Sequence, residues 1–217
     1  MRPVFMESNF AGDAGVIRAM LAASLHQQLM RKIFYTHAVA ILLLLSATLL
    51  EAQEYVSTTA PTTTGRSPGV KWKLLSSTGT TKSYVVVFAS GDEVKSGLTE
   101  FAQKNNVASA HFSAIGDAAN GKVGWYDSTR KMFKVINIGE PAEVTSLLGN
   151  ITTYQGKPAV HGHVTLSTAD GLTHGGHLLE LFVGPTLEVF LTVEPRQVFK
   201  KFDEHFGAAV IDPALEK

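Results

Sequence analysis

Three histidines in the C-terminal third of the sequence have the types and spacing that could bind a metal. His161 and His163 are separated by one residue, and His177 follows a pair of glycines. Because side chains alternate along a β-strand, His161 and His163 should share one face, and a second strand could bring His177 beside them. Zinc commonly takes three or four N, S or O ligands. The sequence therefore predicts a site for a divalent transition metal, with zinc as the first candidate, although a hydrogen-bonded cluster of structural histidines would have the same spacing.

Other polar residues near these histidines have simpler interpretations. His174 is expected in a turn exposed to water, and His111 is expected to be an isolated strand histidine, although it could approach the cluster. Glu180 and Glu188 lie on predicted strands, where a carboxylate could bind the metal, orient an imidazole or form an ion pair at a subunit interface. Most strand carboxylates face water, so interface or solvent roles are expected for both. No general base or nucleophile can be named, so any catalytic residues stay unknown.

The composition restricts the chemistry that is available. The 217 residues include 19 Lys and Arg, 19 Asp and Glu, and no cysteine. A chain without cysteine has no disulfides, no thiolate catalysis and no cysteine-bound zinc, so a metal would bind to histidine, carboxylate or backbone oxygen. The balanced charge argues against a constitutive nucleic-acid binder, which usually carries a clustered basic surface.

The N-terminal part of the sequence resembles a targeting segment more than a folded domain. A basic stretch begins at Met30, an apolar run occupies residues 38–50, and Ala52 is a small residue at a suitable cleavage point. This order is typical of a secretory signal peptide, which we predict over residues 30–52. The apolar run is shorter than the roughly 20 residues that cross a bilayer. The alternatives to a cleaved signal are a buried helix and an uncleaved signal that holds the chain at a membrane. Residues 1–29 are interpreted as an unstructured extension that a start-site error has added before Met30.

The rest of the sequence predicts one linker and one domain. Residues 53–69 are rich in Ser, Thr and Pro and indicate a flexible linker. Residues 70–217 show successive strand patterns, with one helix predicted after Glu93 and a terminal helix beginning at Pro195. Gly149 lies inside a predicted strand, which indicates a bulge or a close approach of two backbones. We therefore expect a single α+β domain whose largely antiparallel sheet is flanked by two helices.

Several short motifs follow one another in the predicted domain, namely Ser113-Ala114-Ile115-Gly116, Leu147-Leu148-Gly149-Asn150-Ile151, His161-Gly162-His163-Val164, Asp170-Gly171, Gly175-Gly176-His177-Leu178 and Leu187-Glu188-Val189. Taken in this order, they resemble one known family, the plants-and-prokaryotes conserved domain (PPC, also called PCC). The resemblance covers nearly all of residues 71–193 and implies an α/β-type fold around an antiparallel sheet, assembled as a homotrimer. In some members it also implies a metal at the His-x-His and Gly-Gly-His positions, which are His161, His163 and His177 here.

The resemblance also raises DNA binding as an expectation. Plant members carry an AT-hook before the domain, and prokaryotic stand-alone members are often described as DNA-binding by analogy with them. Gly65-Arg66-Ser67-Pro68 departs from the Arg-Gly-Arg-Pro core of an AT-hook, and export would separate the protein from chromosomal DNA. We therefore expect an exported, periplasmic or secreted, trimeric binding protein with a small-molecule or protein ligand. The two alternatives are a metal-dependent hydrolytic enzyme and a DNA-binding protein.

Overall fold

The computed structural model describes residues 13–47 and 53–216, which divide into two units with a boundary after Ala52. The first unit contains α1 (Asp13–Ala47), a helix of 35 residues. The unstructured extension expected over residues 1–29 is therefore wrong from Asp13 onward, because this stretch is rich in Ala, Leu, Met and Gln, which favour helices. Residues 1–12 and the cleavage point at Ala52 lie outside the described residues. None of the described helices combines the length and hydropathy that a membrane span requires.

The second unit is built on an eight-stranded, antiparallel sheet whose strand order is β1-β5-β4-β6-β7-β8-β3-β2. One helix packs against this sheet, and a separate two-stranded hairpin follows the last strand of the sheet in the chain. The elements are β1 (Tyr55–Ser57), β2 (Lys71–Thr78), β3 (Thr81–Ala89), α2 (Val94–Lys104), β4 (Ala110–Asp127), β5 (Met132–Ile138), β6 (Ala142–Tyr154), β7 (Lys157–Thr168), β8 (Thr173–Val193), β9 (Lys200–Asp203) and β10 (Ala208–Ile211).

Two long strands hold the sheet together. These are β4, with 18 residues, and β8, with 21 residues, which pair with each other in addition to their partners in the strand order. Register shifts interrupt this pairing at three places, so both strands bend. As a result β8 pairs with β7 at its beginning, with β4 along most of its length, and with β3 at its end. The beginning of β8 is where His177 lies.

The core lies between α2 and the inner face of the sheet. Val94, Leu98, Phe101 and Ala102 are buried on one side of α2, as their helical spacing predicts. Glu93 caps this helix, because its carboxylate accepts hydrogen bonds from the backbone N–H groups of the first turn. The helix predicted after Glu93 is thus confirmed in its position and its buried face.

Two other predictions about this unit need correction. The terminal helix predicted from Pro195 is wrong, because Phe199 joins β6 through a parallel bridge to Thr153 and the chain then forms the β9–β10 hairpin. The linker predicted over residues 53–69 is not free of the domain either. Its β1 strand pairs with β5, and Ser67 is buried and donates a hydrogen bond to a backbone carbonyl next to α2. The compact unit therefore begins at Gln53.

The expected fold class is confirmed at the level of an α+β protein with a largely antiparallel sheet and two helices. The second helix is α1, which precedes the domain, and is not a C-terminal helix.

Candidate metal centre

The three predicted histidines meet on one face of the sheet. His161 and His163 lie on β7, and the register places His163 directly opposite His177 of β8. The ring centroids are 5.3 Å apart for His161 and His163, 5.0 Å for His161 and His177, and 5.6 Å for His163 and His177. One ring nitrogen of each histidine lies within 4.8 Å of those of the other two. Alternation along β7 and pairing with β8 therefore produce the cluster that the spacing predicts.

Glycines let the strands around this cluster approach closely. Gly149 of β6 lies opposite Gly162 of β7, and a Cβ atom on Gly149 would collide with the Phe112 ring and with the backbone carbonyl of His161. A Cβ atom on Gly176, one residue before His177, would lie 2.7 Å from the carbonyl oxygen of Gly124. Of the two features predicted at Gly149, a bulge or a close backbone approach, the structure shows the close approach. It fixes the β7 backbone that carries His161.

An aromatic ring holds the His177 imidazole in place. Phe133 of β5 stacks on it with ring centroids 4.2 Å apart and planes 15° from parallel. Gly124, which lies opposite His177 in β4, leaves room for this stack, because a Cβ atom there would lie 2.9 Å from Phe133. Phe133 and Gly124 were not identified from the sequence, because the pairing that brings β5 and β4 to this site is visible only in the fold.

The environment keeps two of the imidazoles neutral. Burial lowers the pKa of His161 to about 4, with a smaller contribution from the charge of Lys200. Burial lowers the pKa of His177 to about 3, and the neighbouring His161 adds to this effect. A histidine binds a metal through a neutral ring nitrogen, so both side chains are in the binding form at neutral pH.

The donor set and its surroundings fit a zinc-type ion. Ligands at about 2.0–2.1 Å from a tetrahedral zinc lie about 3.4 Å from one another, so the three nitrogens need to approach by at most about 1.4 Å. Asn150 of β6 lies opposite His161, and its side-chain oxygen is buried without a hydrogen-bond donor among the described residues. This oxygen offers an acceptor to an imidazole N–H group or to a bound water, the kind of contact that orients metal ligands.

The other candidates from the sequence lie outside the cluster. His111 pairs with Glu194, its Nδ1 atom 2.6 Å from a carboxylate oxygen, and is mostly exposed. His174 is half-buried in β8 opposite Leu166, so the exposed turn expected for it is wrong, since β8 begins one residue earlier.

The two glutamates also have other roles than metal binding. Glu180 forms an ion pair with Arg66 at 2.7 Å. Glu188 is exposed on the sheet face, opposite Ile115 of β4. Neither glutamate belongs to the group of potential metal ligands found among the described residues.

Comparison with known proteins gives this architecture a family. The sequence profile of the Plants and Prokaryotes Conserved (PCC) domain matches residues 75–194, more than half of the chain. The chain belongs to the PCC domain family. This match contains α2 and all three clustered histidines, whereas β1 and the first half of β2 precede it.

Solved structures of three other proteins have the same fold. A metal-containing protein from Archaeoglobus fulgidus is 28% identical, with a TM-score of 0.56 over 65% of this chain and 96% of that chain. A plant- and prokaryote-conserved protein from Pyrococcus horikoshii is 28% identical, with a TM-score of 0.58 over 71% and 100%. A protein from Ralstonia eutropha JMP134 with a supposed DNA-binding role is 32% identical, with a TM-score of 0.56 over 59% and 90%. A search of curated proteins finds no match.

Proposed function

We propose that this protein is an exported, homotrimeric PCC-domain binding protein whose His161, His163 and His177 hold a divalent transition metal. The observation that carries the proposal is the convergence of three imidazole nitrogens within 4.8 Å on one face of the sheet. The Archaeoglobus fulgidus relative, which is described as metal-containing, supports the same conclusion.

Zinc is the first candidate for this metal. An all-imidazole donor set suits zinc, copper, iron and nickel better than magnesium or calcium, which prefer oxygen ligands. The stacked Phe133 ring and the buried Asn150 oxygen would restrict the orientation of two of the ligands. The metal would act here as a Lewis acid and as an anchor for a ligand atom.

An exposed apolar face supports the homotrimer. Ser113 of β4 lies opposite both Leu148 of β6 and Phe190 of β8, and Ile115 follows on the same side of β4. The exposed fractions of Ile115, Leu148 and Phe190 are 62%, 60% and 56%. Leu148 also lies opposite His163, so the metal centre borders this face. Contiguous exposed apolar surface on a soluble domain marks an interface, and we assign it to two further copies of the chain.

Export through a signal peptide at residues 30–52 is part of the same proposal. The compact unit begins at Gln53, the residue that would follow cleavage after Ala52. A mature protein starting there would keep the whole sheet, including β1. N-terminal sequencing of the protein from its native host should give Gln53 as the first residue, whereas any residue before Met30 would contradict the assigned start.

A metal-dependent hydrolytic enzyme is the second candidate function. Three protein ligands, one of which (His163) is exposed, would leave a coordination position open, as in catalytic zinc sites. The described residues around the cluster contribute no group that we assign as a general base. DNA binding, suggested by the description of the Ralstonia relative, has less support because the chain has no net charge.

A cobalt titration tests the metal site. Co²⁺ bound by three histidines in a four-coordinate site should give visible absorption that saturates at about one ion per chain. We expect His163→Ala to abolish this absorption and His174→Ala, three residues from His177 on the same strand, to retain it. Equal cobalt binding by both variants would contradict the assignment.

A further inference from the structure

A cavity lies directly beside the histidine cluster. Its volume is about 220 Å³, far above the roughly 10–15 Å³ that one water needs and below the usual range of drug-sized ligand sites. His177 lines it, together with Lys95 of α2, Val56 and Ser57 of β1, and residues 58 and 60–63 of the segment that follows β1. That segment lies outside the part of the chain that matches the PCC profile. One wall of the cavity is therefore formed by residues outside the PCC match, and the rest of its lining lies largely within the match.

Most charged groups around this cavity already have partners. Arg66 pairs with Glu180 at 2.7 Å, and Lys122 pairs with Glu54 at 3.4 Å. The carboxylate of Glu93 accepts hydrogen bonds from three backbone N–H groups, those of Lys95, Ser96 and Leu181. The acids that line the cavity are thus occupied within the protein.

Lys95 is the exception among the lining cations. It is half-buried, and no carboxylate lies within 4.0 Å of its ammonium group in the described part of the chain. Burial lowers the pKa of Lys95, and the negative charge of Glu93 offsets only part of this effect. Lys200, also half-buried and without such a partner among the described residues, adds positive charge to the same region. The positive charge of Lys95 acts on both His161 and His177, so this site needs negative charge, either from a bound anion or from solvent.

A bound metal would increase this need. Three neutral imidazoles leave the full charge of a divalent ion uncompensated, whereas carboxylate ligands would have reduced it. Apolar side chains complete the cavity wall, namely Val56, Phe133, Val135 and Leu179. A ligand that fits all of these groups has an anionic end toward the metal and Lys95 and a small apolar body against the wall.

We propose that this cavity binds a small organic carboxylate, whose carboxyl group lies between the metal held by the three histidines and the ammonium group of Lys95. The proposal rests on the proposed metal site. It extends that site by assigning Lys95 as a ligand-binding residue and by assigning a chemical class to the ligand. A neutral amide of the same shape and inorganic phosphate, which has no apolar body, should both bind more weakly.

The test is a calorimetric titration of the cobalt-loaded full chain with benzoate, benzamide and inorganic phosphate. We expect benzoate to bind at least tenfold more tightly than either of the others. Lys95→Met should weaken benzoate binding at least tenfold while retaining the cobalt content of the wild type. Lys104→Met, which removes an exposed ammonium group from the other end of α2, should leave benzoate binding unchanged.

The outcomes separate this inference from the metal assignment. Equal benzoate affinity in Lys95→Met and wild type, or equal affinity for benzamide, would overturn the carboxylate site while the metal site stands. Tighter binding of phosphate than of benzoate would overturn the ligand class. If the chain binds no cobalt, the assignment of the metal site is wrong, and the anion site is then tested by titrating the metal-free chain with benzoate. Benzoate binding that depends on Lys95 would support the anion site. No such binding would overturn it.

Discussion

Gly149→Ala should weaken both the sheet and the metal centre, although it adds only one methyl group. The new Cβ atom would lie 2.8 Å from Cε2 of Phe112, and closer still to Cζ of that ring and to the carbonyl oxygen of His161. The carbonyl belongs to the β7 backbone, so it cannot rotate away as a flexible side chain would. Strands β6 and β7 must therefore separate at the residue that carries the His161 imidazole.

The expected size of the effect follows from the cost of overpacking. Extra methyl groups in a well-packed interior typically cost about 1–3 kcal/mol. For a domain of this size, a loss of about 2 kcal/mol lowers Tm by about 4–8 °C. Groups that orient metal ligands typically change metal affinity by about 10–100-fold, so cobalt affinity should fall at least tenfold.

Thermal unfolding and cobalt titration of Gly149→Ala measure both effects. Gly139→Ala is the matched control, because Gly139 is exposed and its added Cβ atom would be no closer than 3.7 Å to another group, the side chain of Asn137. We expect its free energy of unfolding to stay within about 0.5 kcal/mol of wild type. If Gly149→Ala unfolds at the same temperature and binds cobalt as tightly as Gly139→Ala, the close approach of β6 and β7 does not position His161.

Three further predictions test the electrostatics, the metal and the assembly. Burial lowers the pKa of His177 to about 3 and of His161 to about 4, below the ordinary value of 6.5. The unfolded chain therefore takes up protons first, so the metal-free protein should lose stability as the pH falls from 6.5 toward 4. The loss should reach about 1.4 kcal/mol per pH unit for His177, and urea unfolding at pH 7 and 5 should show a smaller loss in His177→Gln. Removal of the metal with a chelator should lower Tm of the wild type, because a metal present at 100 times its Kd stabilises the folded chain by about 2.7 kcal/mol. The variant carrying His161→Ala and His163→Ala should keep its Tm. An equal shift in both proteins would contradict the site. Phe190→Glu should convert a trimer to monomers in sedimentation, whereas Phe202→Glu, exposed on β9, should not; a trimeric Phe190→Glu variant would place the interface elsewhere.

The sequence was sufficient for the parts of the site that depend on local periodicity. Alternation along one strand placed His161 and His163 on the same face, and Gly149 indicated either a bulge or a close backbone approach, of which the second occurs between β6 and β7. The helical spacing of Val94 and Leu98 predicted the buried face of α2 correctly. In each case the feature depends on residues that are a few positions apart in the chain or that face each other in one pair of strands.

The features that could not be predicted depend on pairing between distant segments. Phe133 reaches His177 only because β5 pairs with β4, and β4 in turn pairs with β8. The segment after Pro195 has apolar residues at helical spacing, but it does not form a helix. Phe199 pairs with Thr153 of β6, and the chain then forms the β9–β10 hairpin. The segment before residue 70 has the composition of a linker, yet β1 adds to the sheet edge. Local composition carries no information about such edge pairing.

The metal content of the purified protein, measured by elemental analysis, tests the central claim most directly. The wild type and the control variant His174→Ala should each contain about one zinc or other divalent transition metal per chain. The variant carrying His161→Ala and His163→Ala should be folded and contain almost none. A folded wild type without bound metal after zinc supplementation, or a double variant that retains it, would contradict the assignment of these histidines as a metal centre.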